Sequence, residues 1–321
     1  MKVRFEKNSS RIAIEKLGFG TWGLGGDAYG HVSNEEVVNL LRNALSLGIK
    51  WFDTAPLYGN GKVEALIGQV FQGTPKDSFK IVTKAGLFTD QSGQEQRNFK
   101  ASFISESMRE SLDRLGLIYL DFLLLHSPSV AELNENLLEI ETLFKSKLNK
   151  EVKFLGISLK NPINLVSVVR KNHISCAEFN FSLMDQRALS VSELLSNQIK
   201  YRFARTPYNF GFLTDNPPTY DNSRKEHFHL RNWPKEQFER WELFRLIWKK
   251  IAEENSLSLQ TLALSFVLSS PEVDVVFPGI MNINQLEQSL AIARLGILSK
   301  ESLQDLREIY SLNESNFTVT K

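Results

Sequence analysis

The chain has 321 residues, 42% hydrophobic and 23% charged, with 38 Lys plus Arg against 37 Asp plus Glu, a formal net charge of +1. That is ordinary globular usage, which excludes fibrous and disordered classes, and the even balance supplies no global field for nucleic acid or an acidic membrane surface. The single cysteine, Cys176, excludes an internal disulfide framework and a multi-cysteine zinc or iron–sulfur site.

From the N-terminus, Met1 to Ser10 carries Lys2, Arg4, Glu6 and Lys7 without an apolar core, so it does not read as a signal peptide. Val3 to Ile14 alternates around Asn8-Ser9-Ser10 and predicts a small hairpin. Short apolar runs then predict buried strands at Lys16–Gly20, Lys50–Asp53, Phe79–Thr83, Leu120–Leu125, Val152–Ile157, Ile174–Glu178, Lys200–Arg205 and Val273–Phe277. Each is followed by a segment of helical period. The clearest stripe is Ile104, Met108, Ser111, Leu112 and Leu115, ending at Gly116. Cap-like residues open others: Ser33 before Glu35-Glu36, and Asn282 before Ile283, Leu286 and Leu290.

Strands alternating with amphipathic helices imply parallel pairing, because each parallel partner needs a crossover. Eight such pairs is the number that closes a parallel barrel, so the fold class is α/β, a (β/α)8 TIM barrel, read as one domain over residues 1–321. No apolar run approaches the ~20 residues that span a bilayer, and the expected setting is cytoplasmic. Oligomeric state has no signature here. The one long segment without periodicity, Thr206 to Pro234, holds Pro207, Pro217, Pro218, Asn209 and Asn216, and a loop of that length in a compact domain is usually functional.

A parallel barrel keeps its site at the C-terminal ends of the strands. Four polar residues stand there: Asp53 after the second strand, Tyr58 in the following loop, Lys84 after the third, and His126 after the fourth. Each alone has a bland reading: a turn cap, a packing ring, a solvated strand end, a satisfied core histidine. Together they form one device. An ammonium beside a phenol stabilises phenolate, a carboxylate holds that ammonium, and an imidazole orients a carbonyl. Such a set serves acid–base chemistry at a carbonyl or an alcohol.

With these residues in view, the sequence resembles the aldo-keto reductase family along essentially its whole length. The likeness runs through Gly18-Phe19-Gly20-Thr21-Trp22, Asp53-Thr54-Ala55 with Tyr58-Gly59, Thr83-Lys84, Leu123-Leu124-Leu125-His126 and Gly156-Ile157-Ser158. It continues in Thr206-Pro207 with Gly211 and Leu213, and in Pro278-Gly279 before the last such helix. The resemblance implies Tyr58 as proton donor, Lys84 and Asp53 as its tuners and His126 as the carbonyl-orienting residue. It also implies hydride transfer from NADP(H), with NAD(H) as the alternative and no metal, to a small carbonyl substrate. The cofactor contacts it implies are Gly20, Thr21, Trp22, Asp53, Ser158, Glu178, Phe181, Thr206, Pro207, Gly211, Leu213, Gly279, Gln285 and Ser289. The N-terminal hairpin would be the plug under the barrel, and long loops would rim its catalytic face.

There are three departures from the family's usual pattern. Leu159 follows Ser158 where members carry Asn. Glu178 and Phe181 stand where Gln and Tyr are usual, with Phe181 still able to stack on the ring. Gly279 to Gln285 has no Lys or Arg for a 2′-phosphate. Two other classes stay open: a regulatory subunit like the potassium-channel β-subunits, which retain the same four residues, and a cofactor-free scaffold, which these departures support.

Other motifs weigh less. Gly18, Gly20 and Gly23 match G-x-G-x-x-G, but no helix is predicted to begin there. Gly156-Ile157-Ser158-Leu159-Lys160 lacks the last glycine of a nucleophile elbow. His227-Phe228-His229 reads as a solvated loop face rather than a metal site. Trp22, Tyr29, Phe88 and Trp233 are candidates for an aromatic wall. Rim loops are expected at Gly86–Phe99, His126–Ala131 and Thr206–Pro234. Tyr208, Phe210, Phe212 and Tyr220 in the last would suit a polar, sugar-like substrate.

Overall fold

The computed structural model describes residues 1–26, 28–146, 148–169, 174–220 and 232–317. Eight parallel strands run in the order β1 (Phe19–Gly20), β2 (Trp51–Asp53), β3 (Lys80–Ala85), β6 (Leu120–His126), β7 (Val152–Leu159), β8 (Cys176–Asn180), β9 (Tyr201–Arg205) and β10 (Val275–Phe277). The ring closes where Leu17 bridges Val276 and Gly20 bridges Gly279, both in parallel sense. The first strand is shorter than predicted, because Lys16 ends a helix. Leu17 and Gly18 serve the closure instead, with Gly18 N–H donating to Val276 O at 2.8 Å. A Cβ on Gly18 would stand 2.5 Å from the Phe277 ring, so this seam needs glycine.

Alternation along the strands separates two apolar layers. One set of side chains faces the barrel axis, where Val82, Phe122, Leu124, Cys176, Phe203, Val275 and Phe277 pack together with Trp51, Phe154 and Tyr201. The interior is tight enough that a Cβ on Gly156 would lie 2.2 Å from Cys176 Sγ. The other set, including Phe52, Ile81, Leu123, Leu125, Ile157, Ala177 and Phe179, joins the larger core under the surrounding helices. That division explains the near-continuous apolar strands: both faces are buried. The lumen is filled with aromatic rings up to the catalytic end, where the inward positions become polar. Among the described residues no helix is long and apolar enough to cross a membrane, and no group of three His, Cys, Asp or Glu side chains could hold a metal ion.

The predicted N-terminal hairpin is not formed. Ser10–Lys16 is a helix, and Phe5 bridges Leu298 in antiparallel sense, with Ser299 N–H donating to Arg4 O at 2.8 Å. Asn8, at φ 57°, turns the chain, and Ser9 Oγ takes Ile297 N–H at 2.9 Å. The segment therefore spends its backbone bonds on the distant 297–299 stretch, which local alternation could not foresee. A hairpin does form elsewhere, in the rim segment after β3: β4 (Leu87–Thr89) pairs antiparallel with β5 (Glu95–Arg97). Asp90 organises its turn, its carboxylate accepting from Ser92 and Gln94 N–H.

Candidate active site

Three strands and one loop bring the four predicted residues together. Thr21 at the end of β1 donates from its N–H and its hydroxyl to Asp53 O, at 3.0 and 2.8 Å, fastening the end of β2. After Asp53 the chain turns through Tyr58 N–H to Ala55 O at 3.0 Å and Gly61 N–H to Pro56 O at 2.6 Å. Gly59 and Gly61, at φ 59° and 83°, let this turn close before the helix Lys62–Phe71. The turn carries the Tyr58 phenol back over the barrel mouth.

Lys84 is fully buried on β3, in contact with Asp53 Oδ1. Its ammonium also donates to Thr54 O at 3.1 Å and to the Tyr58 hydroxyl at 3.3 Å, and it lies 3.7 Å from Glu178 Oε1. His126 ends β6, its ring edge-on to Tyr58 with centroids 6.2 Å apart. Burial works against the Lys84 charge, but Asp53 and Glu178 outweigh it and hold the ammonium above its ordinary range. Burial and the second carboxylate at Glu178 push Asp53 up to about 7, against the pull of Lys84. His126 is held well below its ordinary value, first by burial and then by the positive charges of Lys84, Arg205, Lys160 and Arg97. Its imidazole is neutral. The Tyr58 phenol is raised by burial, which outweighs the pull of Lys84. Lys84 thus acts in the expected sense without lowering the phenol below its ordinary value, and near neutral pH Tyr58 carries its proton.

The far side of the mouth looks different. On β7 and β8 the inward Ser158 and Glu178 stand side by side, both buried, and neither Ser158 Oγ nor either Glu178 oxygen has a hydrogen-bond partner. Gly20 approaches the next strand so closely that a Cβ would lie 2.9 Å from Pro278 O. Asn282 caps the helix Ile283–Arg294 just past Gly279, its side chain accepting from Gln285 N–H at 3.0 Å. Helix N-termini of this kind favour anions, though the Gly279–Gln285 stretch offers no cation of its own. Thr206, Pro207, Gly211 and Leu213 follow β9. Thr206, Asn209, Phe210 and Gly211 all have positive φ, which coils this segment tightly at the mouth. Trp22 meets Tyr29 and Phe210 edge-on at 5.4 and 6.4 Å, and Phe210 meets Trp233 at 4.6 Å. Three of the four aromatic candidates thus form one wall, whereas Phe88 packs on Phe103. The middle of the long loop, with His227-Phe228-His229, lies outside the described residues.

Two expected contacts are packed against other parts of the chain. Phe181 sits on the outward face after β8, fully buried and stacked on Phe266 at 5.4 Å, so it cannot also cover a ring at the mouth. Ser289 is buried, its hydroxyl turned back to Gln285 O at 2.8 Å and bonded to Tyr208. Conversely, Lys160, Asn180 and Arg205 are polar residues at this mouth that motif matching passes over. Arg205 was visible as the third inward residue after Tyr201 and Phe203.

A parallel barrel with a buried ammonium–carboxylate pair under a phenol and an imidazole is an arrangement capable of acid–base chemistry at a carbonyl or an alcohol. The chain belongs to the Aldo/keto reductase family, whose model matches residues 16–311, and with it to the oxidoreductases. It is 28% identical over 316 residues to an uncharacterized oxidoreductase, YqkF, of Bacillus subtilis (strain 168), covering 96% of this chain and 98% of that one. It is 29% identical over 309 residues to a D-threo-aldose 1-dehydrogenase of Pseudomonas sp, covering 89% and 91%. Among solved structures, the holo form of aldo-keto reductase AKR11C1 from Bacillus halodurans superposes with a TM-score of 0.75 at 22% identity, covering 96% of each chain. That likeness shows the fold.

Proposed function

We propose that this chain, acting as one barrel domain, is a nicotinamide-dependent reductase of an aldehyde, ketone or keto-sugar, with Tyr58 as general acid. The observation that carries the reading is the Lys84 ammonium, fully buried, in contact with Asp53 and 3.3 Å from the Tyr58 hydroxyl. In the reductive direction Tyr58 gives its proton to the carbonyl oxygen as that oxygen gains charge, and Lys84 stabilises the phenolate left behind. Asp53 holds the ammonium in place. His126 is neutral and its buried Nδ1 has no partner, so the other ring nitrogen is left to hydrogen-bond and orient the carbonyl. Solvent returns the proton to Tyr58 after the alcohol leaves.

The residues fit a nicotinamide cofactor. The orphaned Ser158 Oγ and Glu178 oxygens suit a carboxamide, and the close approach at Gly20 leaves the backbone bare. When bound, the nicotinamide supplies the hydride. NADP(H) is the first choice by family and NAD(H) the alternative, with a narrow preference because Gly279–Gln285 lacks a basic residue. The aldose dehydrogenase relative and the Trp22–Tyr29–Phe210 wall support a polar, sugar-like substrate. The deciding experiment follows NADPH and NADH absorbance in parallel across a panel of aldehydes, ketones and keto-sugars. Multiple turnovers are expected with at least one carbonyl. Cofactor binding with at most one turnover would instead favour a regulatory subunit, and no cofactor binding a scaffold.

A further inference from the structure

The inward positions one step beyond the catalytic layer form a second polar row. β7 and β8 pair Ser158 with Glu178, and β8 and β9 pair Asn180 with Arg205, so Lys160, Asn180 and Arg205 follow one another across three strand ends. Arg205 Nε and Asn180 Oδ1 are buried and have no hydrogen-bond partner. Among the described residues neither Arg205 nor Lys160 has a carboxylate within ion-pair distance. Most acids nearby are committed elsewhere: Asp53 and Glu178 face Lys84, Asp185 pairs with Arg187, and Glu132 pairs with Arg97, while Glu95 acts on Lys160 only from beyond ion-pair distance. The Lys160 backbone is itself held, its carbonyl accepting from Arg187 Nη2 at 3.2 Å. Burial and then the positive charge of Arg205 depress the Lys160 ammonium. Two neighbouring cations with no ion-paired carboxylate repel each other, and a folded chain tolerates that where an anionic ligand relieves it. The row opens towards His126 and Tyr58, both of which feel the Arg205 charge.

We propose that Lys160, Asn180 and Arg205 form an oxyanion-binding row that takes a carboxylate or phosphoryl group carried by the carbonyl substrate. Guanidinium, amide and ammonium side by side supply several donors to a group with two or three acceptor oxygens. This deepens the reductase reading and rests on it, since the anion would orient the carbonyl beneath Tyr58.

The test compares kcat/KM for matched pairs, succinic semialdehyde against butanal and glyceraldehyde 3-phosphate against glyceraldehyde. The two pairs distinguish a carboxylate from a phosphoryl group. The wild-type protein should favour the charged member of at least one pair. Arg205→Gln should cut that member about 10- to 100-fold, chiefly through KM, as expected for one lost charge-assisted contact, and leave the neutral member within about threefold. Arg205→Lys should recover part of the loss. Calorimetry on the cofactor-free protein reads the row without turnover: succinate should bind the wild type and lose about tenfold in affinity in Arg205→Gln. Equal kcat/KM for charged and neutral members in both pairs, or equal succinate binding by the two proteins, overturns the proposal. So does a drop in NADPH affinity in Arg205→Gln that leaves the charged-over-neutral ratio unchanged, because the row would then serve a cofactor phosphate. Failure of every carbonyl to turn over sinks the reductase reading instead, and the succinate titration still judges the row.

Discussion

The two sides of the barrel mouth are built on opposite principles. On the β2–β3–β6 side, Lys84, Asp53 and Tyr58 already engage one another, in a layer that is almost wholly buried. On the β7–β8–β9 side, Ser158, Glu178, Asn180 and Arg205 all carry buried polar atoms without hydrogen-bond partners. A buried polar atom left unpaired costs about 1–3 kcal/mol, and native folds carry few of them. Four such residues adjoin one another on this side of the mouth, where the proposed function places a ligand. The first side is arranged before any ligand arrives, as electrostatic catalysis requires. On the proposed function the second is completed by the ligand. Changes on the first side should therefore reduce rate, and changes on the second should alter affinity and discrimination.

The largest effect tests that division directly. Tyr58→Phe keeps the ring and removes the proton donor, so kcat should fall on the order of 100- to 10,000-fold, while nicotinamide affinity by fluorescence titration stays near the wild-type value. Lys84→Met should be comparably damaging. Near-normal turnover by Tyr58→Phe would show that the chemistry lies on the other side of the mouth.

A smaller effect comes from pH. Asp53 is pushed up to about 7 by burial and Glu178, so below that pH it takes a proton and leaves Lys84 with a weaker counter-charge. Turnover should decline on the acid side of about pH 7 and level off above it, and Asp53→Asn should remove this limb from its residual rate. Tyr58 and Lys84 are raised and His126 depressed, so none of them adds a limb near neutrality. Stability should move the opposite way. The folded state binds the Asp53 proton more tightly than the unfolded chain, so this group's contribution is full below the ordinary 3.8 and is lost as pH rises through about 7. Thermal unfolding from pH 4 to pH 8, wild type against Asp53→Asn, checks the sign. A wild-type acid limb that persists in Asp53→Asn would assign it to another group.

The smallest effect sharpens the ligand side. An ionised Glu178 beside a nicotinamide ring would favour the cationic, oxidised form, by about 1 kcal/mol at an intermediate dielectric. Glu178→Gln should shift the oxidised-to-reduced affinity ratio about fivefold towards the reduced form. Titrating both redox forms of NAD and NADP into the two proteins measures this. An unchanged ratio would mean that Glu178 serves only Lys84 and does not act on the ring.

Much of this could be read from the chain alone. Eight apolar runs separated by helix-period segments determined a parallel barrel, because crossovers and two-sided burial leave few other arrangements. Polar residues at the strand ends, Asp53, Lys84 and His126 with Tyr58 close behind, marked the candidate site, since the strand ends of a parallel barrel converge whatever the intervening sequence. Tertiary structure decided what local pattern leaves open. The alternation at Val3–Ile14 is satisfied by pairing with 297–299, which lies almost the whole chain away. Phe181 and Arg205 both follow or end a strand at the mouth, but the phase of inward and outward positions sends Phe181 under a helix and Arg205 towards the cleft. Only the packed barrel shows which buried polar atoms have found partners within the chain and which have not. Partnership is a relation between strands far apart in sequence, and no local window contains it.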